Sequence, residues 1–343
     1  LEAVYDGPID TRHYTDEPVI LEQMPSLSNG GASLQAVDVK SGDPVVNADG
    51  ELVSLAAGQK VIPSGCTSGD CAITWDGSSP LKLDQLTVTF KLKSGINWSD
   101  GQPLTSDDSL YSYQLASDKD TPVSKYHINR TLSYEAPDPQ TVKWVGRPGY
   151  FPASYSPLFF IPLPKHAWQG MTAAQLQASD DASRKPLGWG PYQIEEWVKG
   201  DHIRLVKNPS YFRASEGLPK YDVLVYRFLG EQADNNLEAL LSGECSVVDQ
   251  TSLLDEQLEG VLDLQRAGKL KAAIAQGPEM EFLAFGIKPA SYDDGYQPWA
   301  TDRADFFSDV KVRQAVGYCI NRQNIIDKQL FDQSALPASY LAP

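Results

Sequence analysis

The stretch "QLTVTFKLKSGINWSDGQPLTSDDSLYSYQLASD", residues 85–118, decides the fold class. Its first nine residues alternate between apolar and polar side chains, with one face formed by Leu86, Val88, Phe90 and Leu92. This alternation predicts a half-buried strand over residues 85–93. A turn signal follows at Asp100-Gly101, and helical spacing then predicts a helix over residues 106–117. A predicted strand and a predicted helix that follow each other along the chain indicate an α/β protein.

The start of this helix has two interpretations. Thr105 precedes an acid-rich first turn that contains Asp107 and Asp108, which is typical of an N-cap with acids facing the helix dipole. Three aspartates within nine residues also suit calcium. The glycine and glutamate positions of an EF-hand loop are absent, however, so the sequence favours a helix cap over a metal site.

The remaining segments keep this mixed character. Asp49-Gly50 lies between apolar runs and predicts a hairpin. A second hairpin is predicted in "GWGPYQIEEWVKGDHIRLVKNP", with its turn at Gly200-Asp201. The other predicted elements are strands in "QTVKWVG", "KYDVLVYRFL", "CSVVDQ" and "EMEFLAFGIK", a helix in "EQADNNLEALLSGE" that ends at Gly243, and one or two helices in "DVKVRQAVGYCINRQNIIDKQLF".

Composition excludes several classes of protein. The chain has 343 residues, 41% of them hydrophobic, and a net charge of −16. The acidic charge makes nucleic acid an unsuitable partner. No apolar run reaches the ~18 residues of a membrane span. Because the sequence starts at Leu1 without a methionine or a signal peptide, we expect a processed or trimmed product.

The four cysteines form two different groups. Cys66 and Cys71 lie in the Gly/Ser-rich segment "PSGCTSGDC" with no further metal ligand near in sequence. A small disulfide loop is therefore favoured over a zinc pair, and it indicates an oxidising, extracytoplasmic setting. Cys245 and Cys319 lie far apart in apolar segments, where they are either two buried thiols or a second disulfide.

A search for catalytic motifs finds none. The sequence "GWG" at residues 188–190 begins like a dinucleotide-binding motif, but Pro191 removes a backbone donor and Gln193 replaces the third glycine. The four histidines fall in unrelated segments. We therefore predict no catalytic residue, no metal and no cofactor. Aromatic residues are frequent in loops, where they serve either as core or as the walls of a ligand cleft.

Four motifs, in order, resemble one family. They are "TFKLKSGINWSDGQPLTSDDSLYSY", "GWGPYQIEEWVKGDHIRLVKNPSYF", "LLSGECSVVD" and "FSDVKVRQAVGYCINRQNII". Together they resemble the extracellular solute-binding proteins of family 5, the oligopeptide, dipeptide and nickel type that serves ABC transporters. Ser246 departs from the family pattern, which usually has an aspartate there.

The resemblance implies a periplasmic-binding-protein-like fold of type II, cluster C, with several lobes and mixed β-sheets. Residues 8–163 would form the family's extra lobe, domain II. Residues 164–277 would form part of ligand-binding lobe I, and residues 278–343 the start of lobe III. The chain resembles an interior piece of the family fold, without its C-terminal part.

The resemblance also implies a function without catalysis. The protein would be the extracytoplasmic substrate-binding component of an ABC importer, with a peptide bound between two closing lobes, an ABC permease as partner, and a lipid anchor outside this chain as its membrane attachment. An oligosaccharide receptor of the same fold and a non-transport sensor are the alternatives. In the family the strand "EMEFLAFGIK" borders the ligand and the "GWGPY" segment faces it. Trp189 and Phe282 are therefore predicted as apolar walls, and Glu281 as the partner of a cationic or donor group.

The cysteine spacing gives a first prediction. If Cys66 and Cys71 are bonded, denatured protein without reductant will show fewer than four titratable thiols, and reduction will restore four. The small loop should add about 2–3 kcal/mol to the free energy of unfolding. Four thiols in the unreduced protein would contradict the disulfide.

Overall fold

Short strands and helices make up the computed structural model, which describes residues 2–12, 15–66, 68–229, 233–249, 251, 254–275, 282–285 and 307–336. The strands are β1 (Ile9–Arg12), β2 (Thr15–Pro18), β3 (Ala32–Val39), β4 (Pro44–Val46), β5 (Leu52–Ser54), β6 (Lys60–Val61), β7 (Ile73–Thr74), β8 (Leu81–Lys91), β9 (Thr131–Asp138), β10 (Thr141–Gly146), β11 (Tyr192–Val198), β12 (His202–Lys207) and β13 (Val223–Arg227).

The helices are short apart from α1. They are α1 (Ser106–Ser117), α2 (Tyr126–Asn129), α3 (Lys165–Trp168), α4 (Ala173–Ala178), α5 (Asp180–Ser183), α6 (Ala233–Leu241), α7 (Leu258–Arg266), α8 (Val310–Cys319) and α9 (Arg322–Gln329). The chain divides into two units, Leu1–Phe228 and Leu229–Pro343. The lobe boundaries expected from the family resemblance, 8–163, 164–277 and 278–343, stay predictions.

The largest sheet of the described residues is antiparallel and has the strand order β3-β8-β10-β9. Val88 of β8 pairs with Trp144 of β10, which pairs in turn with Tyr134 of β9. All three side chains are buried. Side chains directly opposite on neighbouring strands lie on one face of a sheet and pack together. This face forms the main core of the first unit.

Strand β8 confirms the predicted alternation and extends it. The side chains at positions 86, 88, 90 and 92 are all buried, as predicted. The strand begins at Leu81 rather than at residue 85, and its first part points Leu81 and Leu83 into a second core. Odd and even positions of a strand face opposite sides. The apolar face therefore changes sides near Asp84. The alternation over residues 86–92 stops there, so it does not predict the first four residues of the strand.

Helix α1 covers the predicted residues and begins at the predicted N-cap. Thr105 occupies the N-cap, and its hydroxyl is 3.5 Å from Asp108 Oδ2, too long for a strong bond. The capping bond is instead donated by the Thr105 backbone N–H to Asp108 Oδ2 at 2.8 Å. The acid in the third helical position thus accepts the Thr105 backbone N–H, which is one of the two bonds of a capping box.

Asp108 also binds groups outside its own helix. Its Oδ1 accepts the Lys165 backbone N–H at 3.0 Å, and its Oδ2 accepts the Trp98 indole N–H at 3.3 Å. The carboxylate is buried, and burial raises its pKa while these N–H donors oppose the rise. The Asp108 side chain therefore links three segments: the loop that contains Trp98, the start of α1 and the start of α3.

The buried face of α1 is polar rather than aliphatic. The Ser112 hydroxyl donates to the Ile161 carbonyl at 2.6 Å, and Ser109 lies 2.6 Å from the Tyr134 hydroxyl. The Tyr111 hydroxyl donates to the Trp168 carbonyl at 2.8 Å. A buried hydroxyl is stable only when it is hydrogen-bonded, and these partners fix the position of the helix against residues 160–168.

The hairpin predictions are confirmed. Strands β4 and β5 pair around Gly50, which has a φ of +80°, and β11 pairs with β12 around Gly200, also at +80°. Strand β13 adds to β12 with Ile203 opposite Tyr226. These last three strands form a separate antiparallel sheet whose core contains Tyr192 and Leu205 packed with Val4.

The second unit, where it is described, is helical. Helix α6 ends before Gly243, which has a φ of +80° and serves as the predicted stop signal. The predicted strand at residues 245–250 is wrong for its described part, because the Cys245 N–H bonds back to the Ala239 carbonyl at 2.9 Å and closes the helix end. The last predicted helical segment forms the two helices α8 and α9.

The cysteines separate as one bonded pair and two thiols. Cys66 and Cys71 form a disulfide with a Cα–Cα distance of 6.3 Å. Cys245 and Cys319 are free, which corrects the second predicted pairing. Cys319 is exposed at the end of α8, whereas Cys245 is half-buried beside the end of α6.

The role of Asp108 gives a second prediction. Asp108→Ala removes the acceptor of three N–H groups and should lower the free energy of unfolding by at least about 2 kcal/mol. The neighbouring Asp107→Ala is the matched control: its side chain is exposed and its ion pair with Lys165 is 3.3 Å long, so the loss should stay below about 1 kcal/mol. Chemical denaturation measures both. Equal losses for the two variants would contradict this role.

Candidate functional site

The GWGPY loop (residues 188–192) was predicted to face a ligand, and the structure places it against the N-terminal segment of the chain. The Gly190 N–H donates to the Val4 carbonyl at 2.7 Å, and the Tyr192 N–H donates to the Ala3 carbonyl at 2.9 Å. A Cβ on Gly188 would lie 2.0 Å from the Val4 oxygen. The glycines are thus required because two backbone segments touch here.

The ring of Trp189 is fully buried. It packs edge-to-face against Tyr5 and Trp98, with centroid distances of 5.1 and 5.4 Å, and its indole N–H donates to the Asp6 carbonyl at 2.8 Å. Buried aromatic pairs of this geometry contribute to stability beyond their area. Trp189 is therefore a core residue of the first unit here, and its role as a ligand wall stays a prediction.

The loop is closed from its other side by Asn208. This buried side chain donates to the Gly190 carbonyl at 2.9 Å, and its backbone N–H donates to the Pro191 carbonyl at 2.9 Å. The Ser99 N–H donates to the Gly188 carbonyl at 2.8 Å. The loop thus joins the first two family-like motifs, one through Trp98 and Ser99 and the other through Asn208.

The other two predicted ligand contacts belong to the second unit. Phe282 is 79% exposed, and the described residues 282–285 have no strand assignment. Glu281 lies outside the described residues. An exposed phenylalanine is available to a ligand, so Phe282 remains the predicted apolar contact and Glu281 the predicted polar one.

The titratable groups form surface pairs rather than a reactive cluster. His166 Nε2 lies 2.8 Å from Asp100, and His202 Nδ1 lies 2.7 Å from Asp201. The hydrogen bond to Asp201 is the main cause that raises the pKa of His202. Within the described ranges, no group of three His, Cys, Asp or Glu side chains is arranged to hold a metal ion.

Sequence reasoning missed a cleft in the first unit. Its lining includes Tyr126, His127, Tyr150 and Phe151, together with the β4–β5 hairpin and the loop that the disulfide closes. The available signal was the two pairs of adjacent aromatic side chains at 126–127 and 150–151. Nothing in the sequence shows that segments so far apart meet.

The mixed α/β fold and the four motifs agree with one family of bacterial solute-binding proteins. The family model "Bacterial extracellular solute-binding proteins, family 5 Middle" matches residues 79–343, which is more than half of the chain. The chain therefore belongs to this family, whose members are substrate-binding proteins of ABC transporters rather than enzymes. The family's extracellular role implies an extracytoplasmic location.

Individual relatives are distant. A Brucella ovis protein, whose name assigns it to ABC transporter peptide-binding proteins, is 29% identical over 79% of this chain and 46% of its own length. The oligopeptide-binding protein AppA of Bacillus subtilis is 25% identical over 71% of this chain and 41% of its own length. The crystal structure of the substrate-binding protein CtaP of Listeria monocytogenes is 34% identical, with a TM-score of 0.40, over 46% of this chain and 32% of that one.

The chain spans less than half the length of these curated relatives. Among the helices of the described residues, none combines the length and apolarity needed to cross a bilayer.

The glycine contacts give a third prediction. Gly188→Ala places a methyl group against the Val4 carbonyl and should cost about 1–3 kcal/mol of unfolding free energy, because the two backbones must separate. Gly69→Ala is the control in the same unit, since a Cβ there meets nothing within 4 Å, and its change should stay within about 0.5 kcal/mol. Thermal unfolding of both variants decides. A parent-like Gly188→Ala protein would mean that the contact does not form.

Proposed function

We propose that this chain is part of the substrate-binding component of an ABC importer and that its ligand is a peptide. Membership of solute-binding family 5 is the observation that carries the proposal. The relatives from Brucella ovis and Bacillus subtilis both have names that assign peptide or oligopeptide binding. Peptide main chains offer donors and acceptors at fixed spacing, so one site can hold many sequences.

The proposed mode of binding is closure of two lobes around the ligand. Residues 164–277 belong to one of these lobes and residues 278–343 to the other, while residues 8–163 form the extra lobe. Trp189, Glu281 and Phe282 are the proposed contacts. The exposure of Phe282 supports its part in this assignment, because an unburied ring gains most from covering by a ligand.

The proposed partners follow from the same role. A membrane permease of the ABC class would receive the ligand, and a lipid anchor outside this chain would hold the protein at the outer face of the membrane or in the periplasm. The disulfide between Cys66 and Cys71 supports an oxidising location. No nucleic acid, cofactor or metal enters the proposal.

The nature of the ligand is decided by native mass spectrometry of the purified protein. We expect a bound mass that fragments into amino acids. A bound mass that fragments into hexoses would replace the peptide with an oligosaccharide. A protein that neither carries nor binds peptides would contradict transport and favour the sensor alternative.

The exposed ring in the second unit gives a fourth prediction. Phe282→Ala should cost more than about 1 kcal/mol of binding free energy for the peptide identified, because a wall aromatic is lost. Tyr318→Ala is the matched control, since this ring is 89% exposed on α8 and is not a predicted contact. Calorimetry measures both affinities. If Phe282→Ala binds as tightly as the parent protein, the proposed cleft is misplaced.

A further inference from the structure

The first unit contains a cleft of about 590 Å³ that lies wholly within residues 46–157. Its walls come from the β4–β5 hairpin, the disulfide loop, α2 and the segment 149–154. This volume lies in the range of small-molecule sites. Every lining residue belongs to the proposed extra lobe, so the cleft is separate from the interlobe site of the proposed function. An experiment on the cleft can therefore fail without contradicting peptide binding at the interlobe site.

The cleft offers flat apolar surfaces. Tyr126 and Phe151 both line it and remain 49% and 43% exposed. Tyr150, Ile62 and Pro157 extend the apolar lining. Exposed rings that converge in a concavity, rather than singly on a convex surface, are typical of sites for ring-bearing ligands.

The electrostatic character of the cleft differs from that of the whole chain. The chain carries a net charge of −16, yet none of the residues that line the cleft is an Asp or a Glu. The Arg130 guanidinium lies 3.8 Å from the centroid of the Tyr126 ring and 5.7 Å from that of Tyr150. It donates to the neutral carbonyl oxygens of Gly50 and Tyr126, which leave its positive charge uncancelled. The side of the cleft next to Arg130 therefore favours an anion, whereas Ser154, elsewhere on the lining, donates to the Asp16 carboxylate at 2.9 Å.

A polar donor completes the cleft. The Tyr150 hydroxyl lies 3.0 Å from His127 Nδ1. Burial raises the pKa of Tyr150 to about 12, so the phenol keeps its proton. Burial, and then the charge of Arg130, lowers the pKa of His127, so the imidazole is neutral. If the phenol donates to Nδ1, the single imidazole proton sits on Nε2 and is free to donate to a ligand.

We propose that this cleft binds a small aromatic carboxylate. The ring of the ligand packs on the exposed surfaces of Tyr126 and Phe151. The carboxylate accepts the His127 Nε2–H within the positive field of Arg130. A neutral ring of the same size keeps the first interaction and loses the second, so the anion binds more tightly.

Calorimetry of the full chain with phenylacetate and with its neutral counterpart phenylacetamide tests the proposal. We expect saturable binding of phenylacetate, and an affinity for the amide that is lower by at least about fivefold. Phe151→Ala should weaken phenylacetate binding by at least about fivefold. His127→Gln should weaken phenylacetate more than phenylacetamide, because its main effect is on the anion.

Leu132→Ala is the control variant, because this side chain is 50% exposed on β9 and does not line the cleft. It should bind phenylacetate as the parent protein does. Three results overturn the proposal: no saturable binding of phenylacetate at millimolar concentration, equal affinity for acid and amide, or unchanged affinity in a Phe151→Ala protein whose thermal unfolding matches that of the parent.

Discussion

The carboxylate of Asp108 is the constraint on which the architecture of the first unit depends. Its two oxygens accept N–H groups from Thr105, Trp98 and Lys165, which lie in three different segments. A buried carboxylate is stable only when such donors replace its lost hydration. Since all three donors must be present together, the loop, the helix and the following segment are positioned as one body. The Trp98 indole in turn packs edge-to-face against the Trp189 ring, so the same network also positions Trp189.

This network explains what the family-like motifs do. In the first motif, Trp98 and Asp108 are buried structural residues, and Gly95 and Gly101 have φ values of +79° and +86° that turn the loop. In the second, Gly188, Gly190 and Asn208 hold the chain against its N-terminal segment. These residues specify the fold through contacts within the first unit. The motifs can therefore identify a solute-binding protein without identifying its solute.

The sequence was sufficient where structure is local. The alternation at residues 86–92 and the helix at 106–117 follow from neighbours in the chain, and both formed. The sequence was insufficient where a contact joins residues that lie far apart in the chain. The bond from Lys165 to Asp108 spans 57 residues, so no local pattern could show that this acid also holds the start of α3. The close approach of the backbone to Gly188 and Gly190 likewise depends on Val4, which lies far away in the chain.

Strand β8 borders two separate hydrophobic clusters of the first unit. Its residues Leu81 and Leu83 face one hydrophobic cluster, and Leu86 and Val88 face the other. Val45 and Val46 of β4 divide in the same way. The cleft at residues 46–157 borders this division, and Tyr126, His127 and Phe151 do not bond to Asp108 or Trp189 in the described structure. Substitutions of the exposed rings Tyr126 and Phe151 therefore leave the Asp108 network intact, whereas Tyr150 and Val46 line the cleft and also belong to the main core of the first unit.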